Sequence, residues 1–191
     1  MSKEIEIKIP LTDAEYEKIF LEIKDKAEHL KKSDEYFSRY DTREERKKNN
    51  EPQVIRIRTE ENLDKKQTET FFCLKFKSIE NGVEFNSENE SLISDANPLR
   101  LFFEVAGYKK FFEKKKDAYS YYYQSVVLKN ISFHLELEII NGLKYVEIEV
   151  TDCDLDAAVI RQELEHYVTQ LGLDVTKRDS RSWMEILTEA K

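Results

Sequence analysis

The sequence predicts an α+β fold: an antiparallel sheet or barrel with charges on one face and helices packed on the other. Three observations predict it. First, short segments alternate strictly between charged and apolar residues, starting with Glu4-Ile5-Glu6-Ile7-Lys8-Ile9 and recurring as far as residues 145–150. Successive strand side chains point to opposite faces, so each segment has a charged face and an apolar one. Second, the charges come as like-sign doublets, where a merely soluble surface intersperses the signs. Third, at least three amphipathic helical stretches need an apolar sheet face to cover, and the isoleucines supply it.

The elements follow in order. After the 4–9 strand, Thr12-Asp13-Ala14-Glu15 is a capping box, and Tyr16, Ile19, Phe20, Ile23, Ala27 and Leu30 follow at helical spacing. Residues 41–53 and 60–69 read as charged, solvated loops. Val54-Ile55-Arg56-Ile57-Arg58 and Phe72-Cys73-Leu74-Lys75-Phe76-Lys77 alternate with paired cations, and Glu88 and Glu90 are again two apart. Asn81-Gly82 marks a turn. Residues 96–107 carry Leu99, Phe102, Phe103 and Ala106 as a short helix with Pro98 in its first turn. Lys114 and Lys116 follow, and Tyr119 with the run Tyr121, Tyr122 and Tyr123 reads as a strand and its packing, with base stacking as the minor alternative. Glu136 with Glu138, and Glu147 with Glu149, lie on two alternating segments joined by Asn141-Gly142, a hairpin signal. Residues 154–171 read as a helix with Gly172 as its C-terminal cap. Ser182-Trp183-Met184-Glu185 is a second capping box, opening a last helix with Ile186 and Leu187.

Composition bounds the function classes. The 191 residues suit one domain, 1–191, with a real core. A net charge of −8 argues against general nucleic-acid binding, which leaves a basic footprint. An acidic chain can still hold a polyanion locally where its cations converge. Cys73 and Cys153 have no metal-ligand spacing and read as reduced, buried thiols, which points to a cytoplasmic protein. No apolar run approaches a membrane span, and the start of the chain is no signal peptide.

Any one charged face could be a solvated strand face with no function. As a set, the doublets point elsewhere. If helices cover the apolar side and the sheet curls, the charges fall inside the curl. Eight carboxylates (Glu4, Glu6, Glu88, Glu90, Glu136, Glu138, Glu147 and Glu149) then meet seven cations (Lys8, Arg56, Arg58, Lys75, Lys77, Lys114 and Lys116). Burying unpaired charges is expensive. A wet tunnel holding a metal and a polyanion satisfies both signs, since Arg forks and Lys ammoniums suit phosphate and carboxylates suit Mg²⁺ or Mn²⁺.

This string of doublets resembles the CYTH family, the triphosphate tunnel metalloenzymes that include class IV adenylyl cyclases and thiamine triphosphatases. The N-terminal Glu4, Glu6 and Lys8 match its Glu-x-Glu-x-Lys signature. Asp34-Glu35-Tyr36-Phe37, Ile55-Arg56-Ile57-Arg58, Leu74-Lys75-Phe76-Lys77, Glu88-Asn89-Glu90, the segment 114–119, the segment 142–149 and Ser182-Trp183-Met184-Glu185-Ile186-Leu187 follow in the family's order. The chain departs at Glu138, where the family has Asp, and at Lys116, where it has Arg. One Gly of the Gly-Leu-Gly turn and a Gly-Pro after Lys77 are also missing. These departures leave subfamily and substrate open.

The resemblance implies an eight-stranded antiparallel β-barrel, charged inside, with helices outside. It implies a divalent metal, Mg²⁺ or Mn²⁺, held by Glu4, Glu6, Glu138, Glu147 and Glu149. Phosphate oxygens would be gripped by Lys8, Arg56, Arg58, Lys75, Lys77, Lys114 and Lys116. Tyr36 and Lys75 match a pair that helps activate water in the triphosphatase branch, although Tyr36 could equally be packing. Glu88, Glu90 and Glu136 carry no settled role. The expected substrate is a triphosphate-bearing small molecule: ATP, tripolyphosphate or thiamine triphosphate. The expected activity is class IV adenylyl cyclase-like, with a triphosphatase as the alternative and a non-catalytic polyphosphate- or nucleotide-binding module third. A homodimer is compatible with the sequence; nucleic-acid and membrane partners are not expected. His29, His134 and His166 read as surface or strand residues and Trp183 as core. Lys177, Arg178 and Arg181 are candidates for closing the tunnel mouth.

Overall fold

A computed structural model describes residues 2–80, 83–125, 128, 131–151 and 156–189. The predicted turn Asn81-Gly82, Cys153 and the first predicted turn of the 154–171 helix lie wholly or partly outside these residues. The strands are β1 (Ser2–Pro10), β2 (Glu28–Ser38), β3 (Val54–Asn62), β4 (Gln67–Glu80), β5 (Val83–Leu92), β6 (Lys109–Gln124), β7 (Ser132–Ile140) and β8 (Leu143–Thr151). They close into an antiparallel barrel in the order β1-β5-β4-β3-β2-β6-β7-β8. The helices are α1 (Asp13–Ile23), α2 (Arg43–Lys48), α3 (Asn97–Val105), α4 (Ala157–Gln170) and α5 (Trp183–Glu189).

Period-two alternation decides which face goes inside. On β1, Ile5, Ile7 and Ile9 join Leu135, Leu137, Val146 and Ile148 in an apolar layer outside the barrel wall. There they pack on Ile19 and Ile23 of α1 and on Ile160, Leu164 and Val168 of α4. A second layer sets Phe103 of α3 on Phe37, Ile55 and Ile57. In the third, α5 places Trp183, Ile186 and Leu187 against Tyr145 and Ile140 near the β7–β8 turn. Burial of these apolar side chains, each worth roughly 1.5–3 kcal/mol, holds the barrel inside out. The charged faces are left to the interior.

Local signals account for most element ends. Thr12 accepts from the Glu15 amide at 3.3 Å while Glu15 accepts from the Thr12 amide at 2.8 Å, the reciprocal cap of α1. Ser182 and Glu185 repeat it at α5. Asn141 and Gly142 turn β7 into β8 with φ of 50° and 83°, the left-handed pair a tight hairpin needs. Gly172 at φ 79° ends α4, and the Leu173 amide donates back to the Val168 carbonyl at 3.1 Å.

Four expectations change. The α1 helix stops at Ile23, and Leu30 belongs to β2, where it pairs with Asn62 and Ala118; Ala27 and Leu30 fit helical spacing by coincidence. The 60–69 "loop" is mostly strand, since β3 and β4 pair as far as Asn62 and Gln67. Within 41–53, α2 forms behind a Thr42–Glu45 capping box, without any apolar stripe to announce it. The fourth helix opens at Ala157 behind an Asp156 cap, whose carboxylate accepts from the Ala158 amide at 2.8 Å.

Candidate functional site

The barrel encloses a cavity of about 1280 Å³. Its wall carries Glu4, Glu6 and Lys8 from β1, Lys32 and Tyr36 from β2, and Arg56, Arg58 and Glu60 from β3. Lys75 and Lys77 come from β4, Glu88 and Glu90 from β5, Lys114 and Lys116 from β6, and Glu136, Glu147 and Glu149 from β7 and β8. The doublets therefore converge on one interior, as the inside-out alternation predicts. Within it the charges sort into three groups.

The first group joins β1, β8, β4 and β5. Oxygens of Glu4, Glu6 and Glu149 all lie within 4.8 Å of one another. Lys75 Nζ sits 2.9 Å from Glu4 and 3.0 Å from Glu88. Arg56 reaches Glu90 at 3.1 Å and Glu88 at 3.4 Å. Asn86 Nδ2 donates to Glu6 at 3.1 Å, and the Cys73 thiol donates to Glu88 at 2.8 Å. Burial, with Glu149 and Glu88 nearby, pushes Glu4 up to about 7 against the pull of Lys75. Burial alone would lower the Lys75 pKa, but Glu6, Glu88 and Glu4 outweigh it and hold the ammonium well above its usual range.

The second group joins β7, β8 and β6. Glu136, Glu138 and Glu147 also bring one oxygen each within 4.8 Å. Lys116 pairs with Glu136 and, at 2.7 Å, with Glu138. Lys32 pairs with Glu136 and, at 3.0 Å, with Glu60. Trp183 Nε1 donates to Glu147 at 2.8 Å. Glu138 has no exposed surface, and its Oε1 has no hydrogen-bond partner. Burial and the Glu147 charge push it up to about 7.

The third group is centred on Asp34, whose carboxylate is fully covered. Arg58 grips it with two bonds, 2.7 and 3.0 Å; Lys114 lies at 3.5 Å and Arg56 at 4.0 Å. The Tyr36 hydroxyl donates to it at 3.2 Å. Burial works against ionisation, but Arg58, Arg56 and Lys114 hold Asp34 well below the usual carboxylate range. Burial and the Asp34 charge push Tyr36 well up, so its hydroxyl keeps its proton. Burial, reinforced by repulsion from Lys116, brings Lys114 down to about 8 despite Asp34.

The residues expected to hold metal thus fall into two triads, completed by Glu136. The expected phosphate grips surround Asp34, Glu88 and Glu136. Lys8 donates to the Arg181 carbonyl at 2.5 Å and, like Lys114, lies over the Trp183 ring. Lys77 lines the cavity, its amide bonded to Gln53. Tyr36 and Lys75 both face the cavity but engage different partners. Lys177, Arg178 and Arg181 turn outward instead, to Glu15, Glu165 and the pair Asp179 and Glu189. The mouth beside α5 is lined by Arg43 and Arg46 of α2 with Ser182, Met184 and Glu185.

Several interior residues escape a doublet search. Asp34 and Lys32 have no like-sign partner two positions away on the inner face. His134, expected to be an ordinary strand residue, lies in the cavity wall and bonds Glu149 at 2.7 Å. Trp183 is core, as expected, and also part of the wall. His29 pairs with Asp117 at 2.6 Å and the exposed His166 with Gln170, so neither joins the site.

The chemistry of the donors fits a hard divalent cation. Each triad is all carboxylate, and Glu138 leaves a buried oxygen unpartnered. A third cluster, Cys73 with Glu88 and Glu90, fits poorly, because its carboxylates already serve Arg56 and its thiol is pushed up to about 12 by burial.

No family model matches the chain, and no curated protein matches it in sequence. Solved structures do share the fold. A Pyrococcus horikoshii OT3 protein aligns over 98% of this chain and 99% of its own, with TM-score 0.74 and 22% identity. A Hippeastrum protein, named as a candidate adenylyl cyclase with a dominant triphosphatase activity, aligns over 100% of this chain and 97% of its own, with TM-score 0.65 and 15% identity. A Vibrio parahaemolyticus protein named as a candidate adenylate cyclase aligns over 97% of both chains, with TM-score 0.63 and 20% identity.

Proposed function

We propose that this chain is a divalent-metal-dependent enzyme of the triphosphate tunnel type, acting on the phosphoanhydride chain of a triphosphate. One observation carries the reading: two all-carboxylate triads lie in a barrel whose cavity wall also carries Lys8, Lys32, Arg56, Arg58, Lys75, Lys77, Lys114 and Lys116. Neither sign of charge alone explains the interior. A metal–triphosphate complex, which presents both signs, does.

Glu4, Glu6 and Glu149 would hold one Mg²⁺ or Mn²⁺, and Glu138 and Glu147, with Glu136, a second. A bound metal would supply charge neutralisation and alignment of the phosphate oxygens. Arg56 and Arg58 offer planar forks for phosphate oxygens, and Lys75, Lys77, Lys114, Lys116 and Lys8 offer point charges along the same wall. Asp34 holds three of these cations in place, so their geometry is set before substrate arrives. Tyr36 and Lys75 both carry protons in the resting tunnel, and act there as hydrogen-bond donors to the reacting phosphate or to the nucleophile.

Two reactions suit this wall. In the cyclase reading, the 3′-oxygen of ATP bonds to the α-phosphorus as the bond to the β-phosphate oxygen breaks. Cyclic AMP and pyrophosphate form, and the hydroxyl proton is released. The names of the Vibrio and Hippeastrum structures support it. In the triphosphatase reading, water attacks the terminal phosphorus of tripolyphosphate, thiamine triphosphate or a nucleotide as its bond to the bridging oxygen breaks. Orthophosphate and the corresponding diphosphate leave, and a proton of the water is released. The presence of both Tyr36 and Lys75 in the cavity wall supports this second reading, as does the triphosphatase activity in the Hippeastrum name. Incubating the pure protein with each substrate and Mg²⁺ or Mn²⁺ separates them. Cyclic AMP with pyrophosphate marks the cyclase, and orthophosphate the hydrolase. Tight metal-dependent binding without product would leave only a binding module.

A further inference from the structure

We propose that Tyr122 is a stacking platform for the planar aromatic head group of an organic triphosphate, at the tunnel mouth beside Glu149. The proposal rests on the tunnel reading above and narrows its substrate class from inorganic to organic triphosphates.

The tyrosines of β6 divide by face. Tyr119 stacks on His29 at 4.4 Å and meets Phe20 edge-on, outside the barrel. Tyr121 and Tyr123 pack against the outer apolar layer, where Tyr123 stacks on Tyr167 at 4.5 Å. Tyr122 points the other way. It lines the cavity, which Tyr121 also borders, but it is absent from the outer apolar layer and remains 68% exposed. One face of its ring lies on the His134 ring, with centroids 4.7 Å apart and planes 18° from parallel. His134 is pinned at both nitrogens, by Ser120 Oγ at 2.8 Å and Glu149 Oε1 at 2.7 Å.

The result is a two-ring ledge anchored from below. An aromatic ring already fixed in place stacks on a ligand at little conformational cost. The ledge is also placed for a molecule with a phosphate tail. Glu149, under His134, belongs to the triad with Glu4 and Glu6. A ligand whose phosphates meet a divalent cation held by that triad can therefore lay its head group on Tyr122. Glu149, Glu136, Glu60 and Glu28 all act on the Tyr122 ring. They outnumber the lysines paired with them, Lys32, Lys65 and Lys116, which favours a neutral or cationic heterocycle over an anionic one. Adenine and a thiazolium both meet that description. Inorganic tripolyphosphate has nothing to place there.

Steady-state kinetics of wild type, Tyr122→Leu and Tyr122→Trp with Mg²⁺ test this, using ATP, thiamine triphosphate and tripolyphosphate as substrates. The expected result is a roughly tenfold loss of kcat/KM for Tyr122→Leu on the organic substrate, the worth of one base stacked on one ring. The loss falls on KM, tripolyphosphate is unaffected, and Tyr122→Trp retains wild-type values. Equal losses on organic and inorganic substrates, no loss on either, or a wild type that turns over tripolyphosphate alone would overturn the proposal and leave the tunnel reading standing. A wild type that turns over none of the three would remove the tunnel reading, and this proposal with it.

Discussion

Lys75 on β4 and Glu4 on β1 are joined at 2.9 Å although β5 runs between their strands. The ammonium reaches across the barrel wall, taking in Glu88 of the intervening strand on the way. In the resting tunnel, cations and carboxylates therefore satisfy one another. A metal must take carboxylates away from lysines, and a phosphate must take lysines away from carboxylates. Each ligand releases the partners that the other needs.

That exchange predicts cooperative binding. Isothermal titration should show tripolyphosphate binding at least about tenfold tighter in saturating Mg²⁺ than in chelator, a coupling in the ordinary range of 5–150-fold. Equal affinity under the two conditions would mean that the triads and the cations do not act together.

Asp34 should be a structural keystone. Asp34→Asn leaves Arg58, whose two bonds both go to Asp34, buried without its counter-charge, which costs about 3–5 kcal/mol. Because its folded pKa is depressed, Asp34 contributes stability above the unfolded value of 3.8 and loses it as pH falls through the folded value. The variant should show a lower urea midpoint at pH 7 and a shallower acid transition than wild type. An unchanged midpoint would mean that Arg58 finds another partner.

Lys114 should set an alkaline limit on affinity. Its ammonium faces Asp34 of β2, Lys116 of β6, Glu138 and Glu147 of β7 and β8, and the Trp183 ring of α5. With the folded pKa lowered from 10.5 to about 8, the unfolded chain binds the proton more tightly. Stability from this group therefore rises with pH across that window, while its grip on phosphate is lost above about 8. The apparent affinity for a triphosphate should fall between pH 7 and 9 in wild type and hold steady in Lys114→Arg. Identical profiles would assign the transition elsewhere.

Trp183 is the sole tryptophan of the chain and lies in the cavity wall. Trp183→Phe keeps the ring packing on α5 but removes the 2.8 Å bond to Glu147. A loss of about 1–3 kcal/mol is expected, since a charged acceptor loses its donor. Chemical denaturation followed by circular dichroism checks it. Stability equal to wild type would show that water replaces the indole.

The strands were legible because their signal is short-range: Glu4 with Glu6, or Arg56 with Arg58, announces a face within five residues. Which strands meet is a matter of register. Glu138 is marked as a ligand only by the family resemblance, and its companion Glu136 gains a place beside it once β7 and β8 pair. Asp34 carried no doublet, since Glu35 points outward to Arg100 at 2.7 Å, and its importance comes from strands β3 and β6 folding beside it. Helix α2 is spelled only by its cap. His134 looked like any strand polar residue until the closed barrel put Glu149 against it. Leu30 misled for the opposite reason, because helical spacing continued by chance across a turn into β2.

A metal at the Glu4–Glu6–Glu149 triad is tested most directly by turnover of ATP and tripolyphosphate by wild type and by Glu4→Gln, in Mg²⁺ or Mn²⁺ and in chelator. Wild type should be active only with metal. Glu4→Gln, isosteric but uncharged, should lose roughly a hundredfold or more while its circular dichroism and melting curve match wild type. Wild-type rates in the variant, or full activity in chelator, would contradict a metal at the Glu4–Glu6–Glu149 triad.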